Sequence, residues 1–246
     1  MNKAELIKFV ELYNLGGKVE SVKIVSDGDK LSTHFRNDTK TLVGYVTHNT
    51  LKIDAGEYGI NDTAQLRRML SVLDDTIEIA VVKYDTEAIS LSISDKNTES
   101  FCMLANLATI PSEMDIEDSD NYTVEIPIND DFVARFVKAT AALTDVNETQ
   151  SFTLMMDKKG KKLELVVGYS TLNSNRIRLE VEPTAGKDTV ENPISFDAPL
   201  FREILSKNRG TAGAILKIDV DGLAAIEFTT QDYTAKYFMM SKNSED

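Results

Sequence analysis

Asp62 to Ser71 reads DTAQLRRMLS, and Asp197 to Ser206 reads DAPLFREILS. The two stretches align without a gap at an offset of 135 positions. Asp62/Asp197, Arg67/Arg202, Leu70/Leu205 and Ser71/Ser206 are identical, while Leu66/Phe201 and Met69/Ile204 are both apolar. Apolar residues three and four apart predict one helix face turned inward. The aspartate ahead of each run predicts an N-cap, and Pro199 suits the first turn of the second helix. Leu66, Met69, Leu70 and Leu73 form the inward stripe in one copy, and Phe201, Ile204 and Leu205 in the other. Arg67, Arg68 and Arg202 fall off it.

A second echo lies upstream. Lys8-Phe9-Val10 and Arg135-Phe136-Val137 sit in amphipathic patterns 127 positions apart, close to the first offset. The expected inward sets are Leu6, Ile7, Val10 and Tyr13, and Phe132, Val133, Phe136 and Val137. Lys8, Arg135 and Lys138 then face out. Alternation and β-branched content predict strands at 19–25, 29–36, 41–47 and 49–54, then 76–83, 87–94 and 98–105. In the second half they predict 122–127, 150–157, 161–168, 175–182 and 193–196, then 213–220, 223–229 and 233–240. Turns are expected at Asp27-Gly28-Asp29, at 157–160 and at Asp221-Gly222. Each half therefore reads helix, strands, helix, strands: a tandem duplication.

Between the halves, 108–121 reads ATIPSEMDIEDSDN, with five acids and no Lys or Arg. It is expected to be an extended, solvated connector. The domains are accordingly 1–107 and 122–246. Ile110, Met114 and Ile116 are the connector's large apolar residues, suited to pinning it to the surface or to contacting a partner. At 42% hydrophobic residues the chain can bury a core. No apolar run approaches the ~20 residues a bilayer span needs, so no membrane association is expected. The N-terminal pattern reads as an amphipathic helix and not a signal peptide. One cysteine, Cys102, excludes an internal disulfide and suits a reducing cytoplasm.

The formal charge of −13 argues on average against nucleic acid, because phosphate repels a net anion. Where the 27 Lys and Arg sit matters more. Catalytic signals are absent: there is no phosphate-binding glycine loop and no dinucleotide fingerprint. His34 and His48 lie in β-rich sequence and read as structural or surface residues. The connector acids lack the EF-hand order, and His34, His48 and Cys102 are too scattered for a metal site. No metal, cofactor or enzymatic activity is expected.

With two helix–sheet repeats, an acidic connector and no catalytic motif, the chain resembles the sliding clamps of DNA replication. The likeness is to the two-domain clamps of T4-type phages and to the archaeal and eukaryotic clamp. It runs over nearly the whole chain, most specifically at 60–81 (INDTAQLRRMLSVLDDTIEIAV) and 213–240 (GAILKIDVDGLAAIEFTTQDYTAKYFMM). The resemblance implies an α+β DNA-clamp fold of two repeated helix-plus-antiparallel-sheet domains, with the helices lining the inside of a ring. It implies a processivity factor, a homotrimer closed head to tail around double-stranded DNA without sequence readout. Its partners would be the DNA polymerase and a clamp-loader ATPase. If phage-encoded, it would act in the cytoplasm of an infected bacterium.

By the same resemblance the DNA-facing residues are Lys8, Arg67, Arg68, Arg135, Lys138, Arg202, Lys207 and Arg209. A partner-peptide pocket would use Leu42, Val43, Tyr45, Ile110, Met114, Phe238 and Met239. Subunits would join through the strand at Glu99–Leu104, with Phe101 and Met103, and that at Asn175–Glu182, with Arg176 and Arg178. One departure stands out. Family repeats begin with a strand, and the first half has only Met1-Asn2 ahead of its helix. Two other readings stay open: a duplicated β-rich structural or scaffold protein of a virus, and an enzyme on a duplicated α+β fold.

Overall fold

A computed structural model describes residues 1–119, 122–143, 151–157, 159–160, 162–170, 175–186 and 190–242. Connector residues 120–121, the strand starts expected at 150 and 161, and position 158 of the expected turn lie outside them. The chain divides into two compact units. One comprises Met1–Thr39, Val43–Asp115 and Thr229–Ala235, and the other Lys40–Leu42, Ile116–Phe228 and Lys236–Asp246.

The first unit opens with α1 (Lys3–Asn14), followed by β1 (Val22–Ser26), β2 (Leu31–Arg36), β3 (Leu42–His48, in this unit from Val43) and β4 (Gly56–Ile60). Then come α2 (Thr63–Ser71), β5 (Glu78–Tyr84), β6 (Glu87–Ser94) and β7 (Glu99–Met103). One antiparallel sheet runs β3-β2-β1-β4 and a second runs β5-β6-β7. In β1 and β2 burial alternates strictly, so Val22, Ile24, Leu31 and Phe35 face inward. Tyr13 of α1 meets Phe35 there, with ring centroids 6.3 Å apart. Phe35 also explains its cross-strand neighbour: a Cβ on Gly44 would lie 2.2 Å from the Phe35 ring.

The second unit holds β8 (Val124–Ile128), α3 (Asp130–Ala142), β9 (Ser151–Met156), β10 (Leu163–Val167), β11 (Ile177–Glu180), β12 (Ala185–Gly186) and β13 (Ile194–Asp197). It continues with α4 (Ala198–Lys207), β14 (Ala214–Ile218), β15 (Leu223–Thr229) and β16 (Tyr233–Met240, in this unit from Lys236). Its sheets include the antiparallel orders β12-β8-β14-β15 and β11-β10-β9-β13. The core is a phenylalanine cluster. Phe136 of α3 lies 5.6 Å from Phe152 of β9 and 5.0 Å from Phe201 of α4, and Phe152 stacks 5.4 Å from Phe196 of β13.

Both expected caps form. Asp62 accepts from the Gln65 amide at 2.6 Å, and Asp197 from the Leu200 amide at 2.7 Å. Asp62→Ala and Asp197→Ala are each expected to lower stability by about 1 kcal/mol in urea unfolding, with Asn at either site nearly neutral.

Several expectations are corrected. Residues 49–54 are not a strand. They form an extended connection that buries Leu51 and Ile53 and is fixed by Ser26 Oγ donating to the Ile53 carbonyl at 2.7 Å. The strand is β4, hidden in sequence by Gly56 and Gly59. At Gly59 a Cβ would sit 2.5 Å from the Ala105 carbonyl oxygen, so the glycine is what allows this approach. The strand expected over 175–182 spans only Ile177–Glu180, and the short β12 had no sequence signal. Among the inward sets, Ile7, Met69 and Val137 are only half-buried, whereas Phe9 and Leu12 are fully buried. The first repeat's opening strand shrinks to one antiparallel bridge, Asn2 to Thr76, with the Ile77 amide donating to the Met1 carbonyl at 3.0 Å.

Candidate nucleic-acid interface

In the first unit α2 buries Thr63, Leu66 and Leu70, which turns Arg67 and Arg68 away from the core. Arg67 reaches Glu11 of α1 at 3.4 Å, and Arg68 reaches Asp62 at 3.9 Å while donating to Gln65 Oε1 at 2.7 Å. Lys8, half-buried on α1, places its ammonium 5.2 Å from the Tyr233 ring centroid. In the second unit Arg135 pairs with Asp131 at 2.9 Å one turn back along α3, and Lys138 is exposed one turn on. On α4, Arg202 pairs with Glu203 at 3.3 Å, Lys207 is half-buried, and Arg209 is exposed just beyond the helix.

Each of the four helix arginines thus carries a carboxylate supplied by its own unit. Exposed pairs of this kind are worth only ~0.2–1 kcal/mol. A phosphate can therefore take the guanidinium over at little cost, and the carboxylates prevent a tight grip. Such a surface suits weak, exchangeable phosphate contacts without base readout. Beside Arg135 lies an open recess of about 330 Å³ whose walls include Phe132, Glu180 and Glu182. Its two glutamates disfavour an anion there.

The residues named for a partner-peptide pocket divide between the units. Leu42, Val43, Phe238 and Met239 are core side chains, at most 1% exposed. Each therefore offers almost no surface to a peptide in this conformation. Tyr45, Ile110 and Met114 are half-buried in the first unit. Tyr45 stacks on His34 with centroids 4.1 Å apart, and His34 Nε2 lies 3.0 Å from the Met114 carbonyl oxygen. His48 is instead a core residue whose burial lowers its pKa.

The residues named for a subunit interface lie on sheet edges. β7 and β11 are terminal strands of their sheets. On β7, Phe101 is 52% exposed and Met103 is 66% exposed, and they flank buried Cys102, whose thiol pKa is raised by burial. At β11, Arg178 pairs with Glu164 at 3.6 Å and Arg176 is exposed just before the strand.

The second half of the connector docks through side chains the sequence did not single out. Asp118 accepts from the Tyr122 hydroxyl at 2.7 Å and pairs closely with Lys236. Burial, then the Asp118 carboxylate, pushes the Tyr122 hydroxyl's pKa up. Among the described residues no group of three or more His, Cys, Asp or Glu could hold a metal ion. Nor is any described helix long and apolar enough to cross a membrane.

No family model and no curated protein matches the sequence. Solved structures do. Proliferating cellular nuclear antigen from Entamoeba histolytica superposes with a TM-score of 0.71 at 14% identity, over 98% of this chain and 96% of that one. A structure of the C-terminal region of FEN-1 bound to A. fulgidus PCNA matches with a TM-score of 0.71 at 13% identity, over 100% of this chain and 98% of that one. At such identities the fold is what is shared, and it is shared from end to end: this α+β chain has the sliding-clamp fold.

Proposed function

We propose that the chain is a DNA polymerase processivity factor: a homotrimeric ring that encircles duplex DNA and tethers the polymerase without reading sequence. The observation that carries this is the end-to-end fold match together with an arginine repeated at one helix position in both units, Arg67 and Arg202. Opening such a ring calls for a clamp-loader ATPase. As with the PCNA bound to the C-terminal region of FEN-1, partners would dock through short peptides. The assignment to a bacteriophage rests on the likeness to T4-type clamps. The protein's role is to hold and tether, with no reaction of its own.

Ring closure follows from the edges. Joining β7 of one copy to β11 of the next continues a sheet and hides two edges, and a head-to-tail interface closes when its rotation allows. Light scattering across a dilution series is expected to give three times the 27.3 kDa chain mass, with monomer appearing on dilution. Phe101→Asp with Met103→Asp, at exposed positions, should leave far-ultraviolet circular dichroism unchanged and shift the mass to monomer. A monomeric wild type at every concentration, with and without DNA, would move the scaffold reading ahead.

A further inference from the structure

The outward positions of three neighbouring strands converge on four consecutive connector residues. Arg36 of β2 donates from Nε to the Ser112 carbonyl at 2.9 Å. Lys23 of β1 pairs with Glu113 at 2.7 Å. His34 of β2 lies 3.0 Å from the Met114 carbonyl oxygen, 3.6 Å from a Glu113 oxygen and 3.8 Å from an Asp115 oxygen. Tyr45 of β3 backs the His34 ring. The connector here is held by charge and hydrogen bonds more than by burial. Ser112, Glu113 and Asp115 are exposed and Met114 only half-buried, while His34 beneath them keeps 14% of its side-chain surface.

We infer that Ser112–Asp115 is a charge-latched strap, held over the His34–Tyr45 ring pair by Lys23, His34 and Arg36 and lifting as a unit when the latch is broken. Lys23 and Glu113 are its central element, because Glu113 offers one carboxylate to two cation-capable groups on different strands. Lifting the strap uncovers a flat ring pair beside Arg36 and Lys23, the latter keeping its 3.4 Å contact with Glu57. A connector held this way can be moved by competing charge without unfolding the sheet beneath it, and it operates in a single chain, with or without a ring.

The pH behaviour follows from the two latched groups. Glu113 faces Lys23 and His34, Asp115 flanks it on the connector, and Glu57 of β4 shares Lys23 at 3.4 Å. Lys23, then His34, holds the Glu113 carboxyl below its usual range. A lowered carboxylate pKa contributes stability that is present above the free value, ~4.3, and is lost as pH falls through the lowered one. Lys23 is held above its usual value, chiefly by the Glu113 hydrogen bond. Its share is therefore complete below the free lysine value, ~10.4, and is lost only as pH rises through the raised one. The strap stays latched at neutral pH and releases in acid.

The test is backbone ¹⁵N relaxation of residues 112–115 in the full chain. Wild type at neutral pH should give order parameters near ~0.85, and Lys23→Ala and Glu113→Gln should each give values below ~0.6. Lys23→Arg, which keeps the charge, should stay near wild type, and all three variants should keep the wild-type far-ultraviolet circular dichroism, which shows that the sheet beneath stays folded. Order parameters below ~0.6 in wild type overturn the strap. Values unchanged in both charge-removing variants assign its hold to Ile110 and Met114 and overturn the latch. A loose Lys23→Arg does so as well.

Discussion

Phe136→Ala lowers the stability of the second unit by about 3–5 kcal/mol, the range for removing a fully buried phenylalanine ring. Phe136 is 0% exposed and has three ring partners: Phe132 stacked at 6.1 Å, Phe152 edge-on at 5.6 Å and Phe201 edge-on at 5.0 Å. Two helices and a sheet meet on this ring, so its loss leaves a cavity that no single element can close by shifting. Edge-to-face pairs add ~0.5–1.5 kcal/mol beyond buried area, which places the expected loss toward the upper end. Urea unfolding followed by circular dichroism should show the second unit unfolding at lower urea, separated from a nearly unchanged transition of the first unit. The control is Val137→Ala, one residue along on the half-buried side of α3, where a loss under about 1 kcal/mol is expected. Equal losses at 136 and 137 would mean that the ring cluster is not what holds α3 to its sheet. The repeat extends the expectation: Phe9 occupies the matching position, is also 0% exposed, and meets Tyr13 at 5.7 Å.

That pair also shows what the sequence carried. Helix positions were legible because capping and periodicity are local. Asp62 and Asp197 announce the starts of α2 and α4 three residues ahead of the amides they bind. Strands with strict alternation, such as β1 and β2, were legible for the same reason. β4 was not, because Gly59 answers to a backbone 46 positions away, at Ala105, and Gly56 to the Tyr58 side chain. The opening strand of the first repeat was doubtful in sequence, and the structure reduces it to the single bridge at Asn2. At the candidate interface, the partner of Arg135 could be read one helical turn back, at Asp131, whereas that of Arg67 could not, since Glu11 precedes it by 56 positions. The connector's acids gave no hint of their partners: Lys23 and His34, which meet Glu113, lie 90 and 79 positions earlier on two strands, and Arg36 holds the neighbouring Ser112 carbonyl. Long-range polar pairing leaves no periodic trace, which is why the strap emerged only from the folded chain.

Replacing Arg67, Arg135 and Arg202 together with Ala should abolish most of the salt-dependent DNA retention while leaving the fold in place. All three lie off the buried stripes, at about 40–47% side-chain exposure for Arg67 and Arg135 and 39% for Arg202. Their ion pairs are surface pairs, so the stability cost should total only a few kcal/mol at most, at ~0.2–1 kcal/mol each. The effect on DNA should be much larger, because the proposed ring of three chains would multiply each substitution threefold. Every phosphate contact removed makes the slope of log K against log salt shallower by about 0.9. Loss of even four contacts flattens it by nearly 4, and binding at low salt should fall by orders of magnitude. The matching Arg→Lys triple variant keeps the charge and should keep the slope, because phosphate attraction without base readout does not require the guanidinium fork. The measurement is retention on circular DNA across a salt series, with light scattering confirming that both variants keep the wild-type mass. A trimeric Ala variant with an unchanged slope would place the DNA-facing surface elsewhere on the chain. A lysine variant that fails like the alanine one would mean that the arginines read geometry, which argues against the proposed sliding ring.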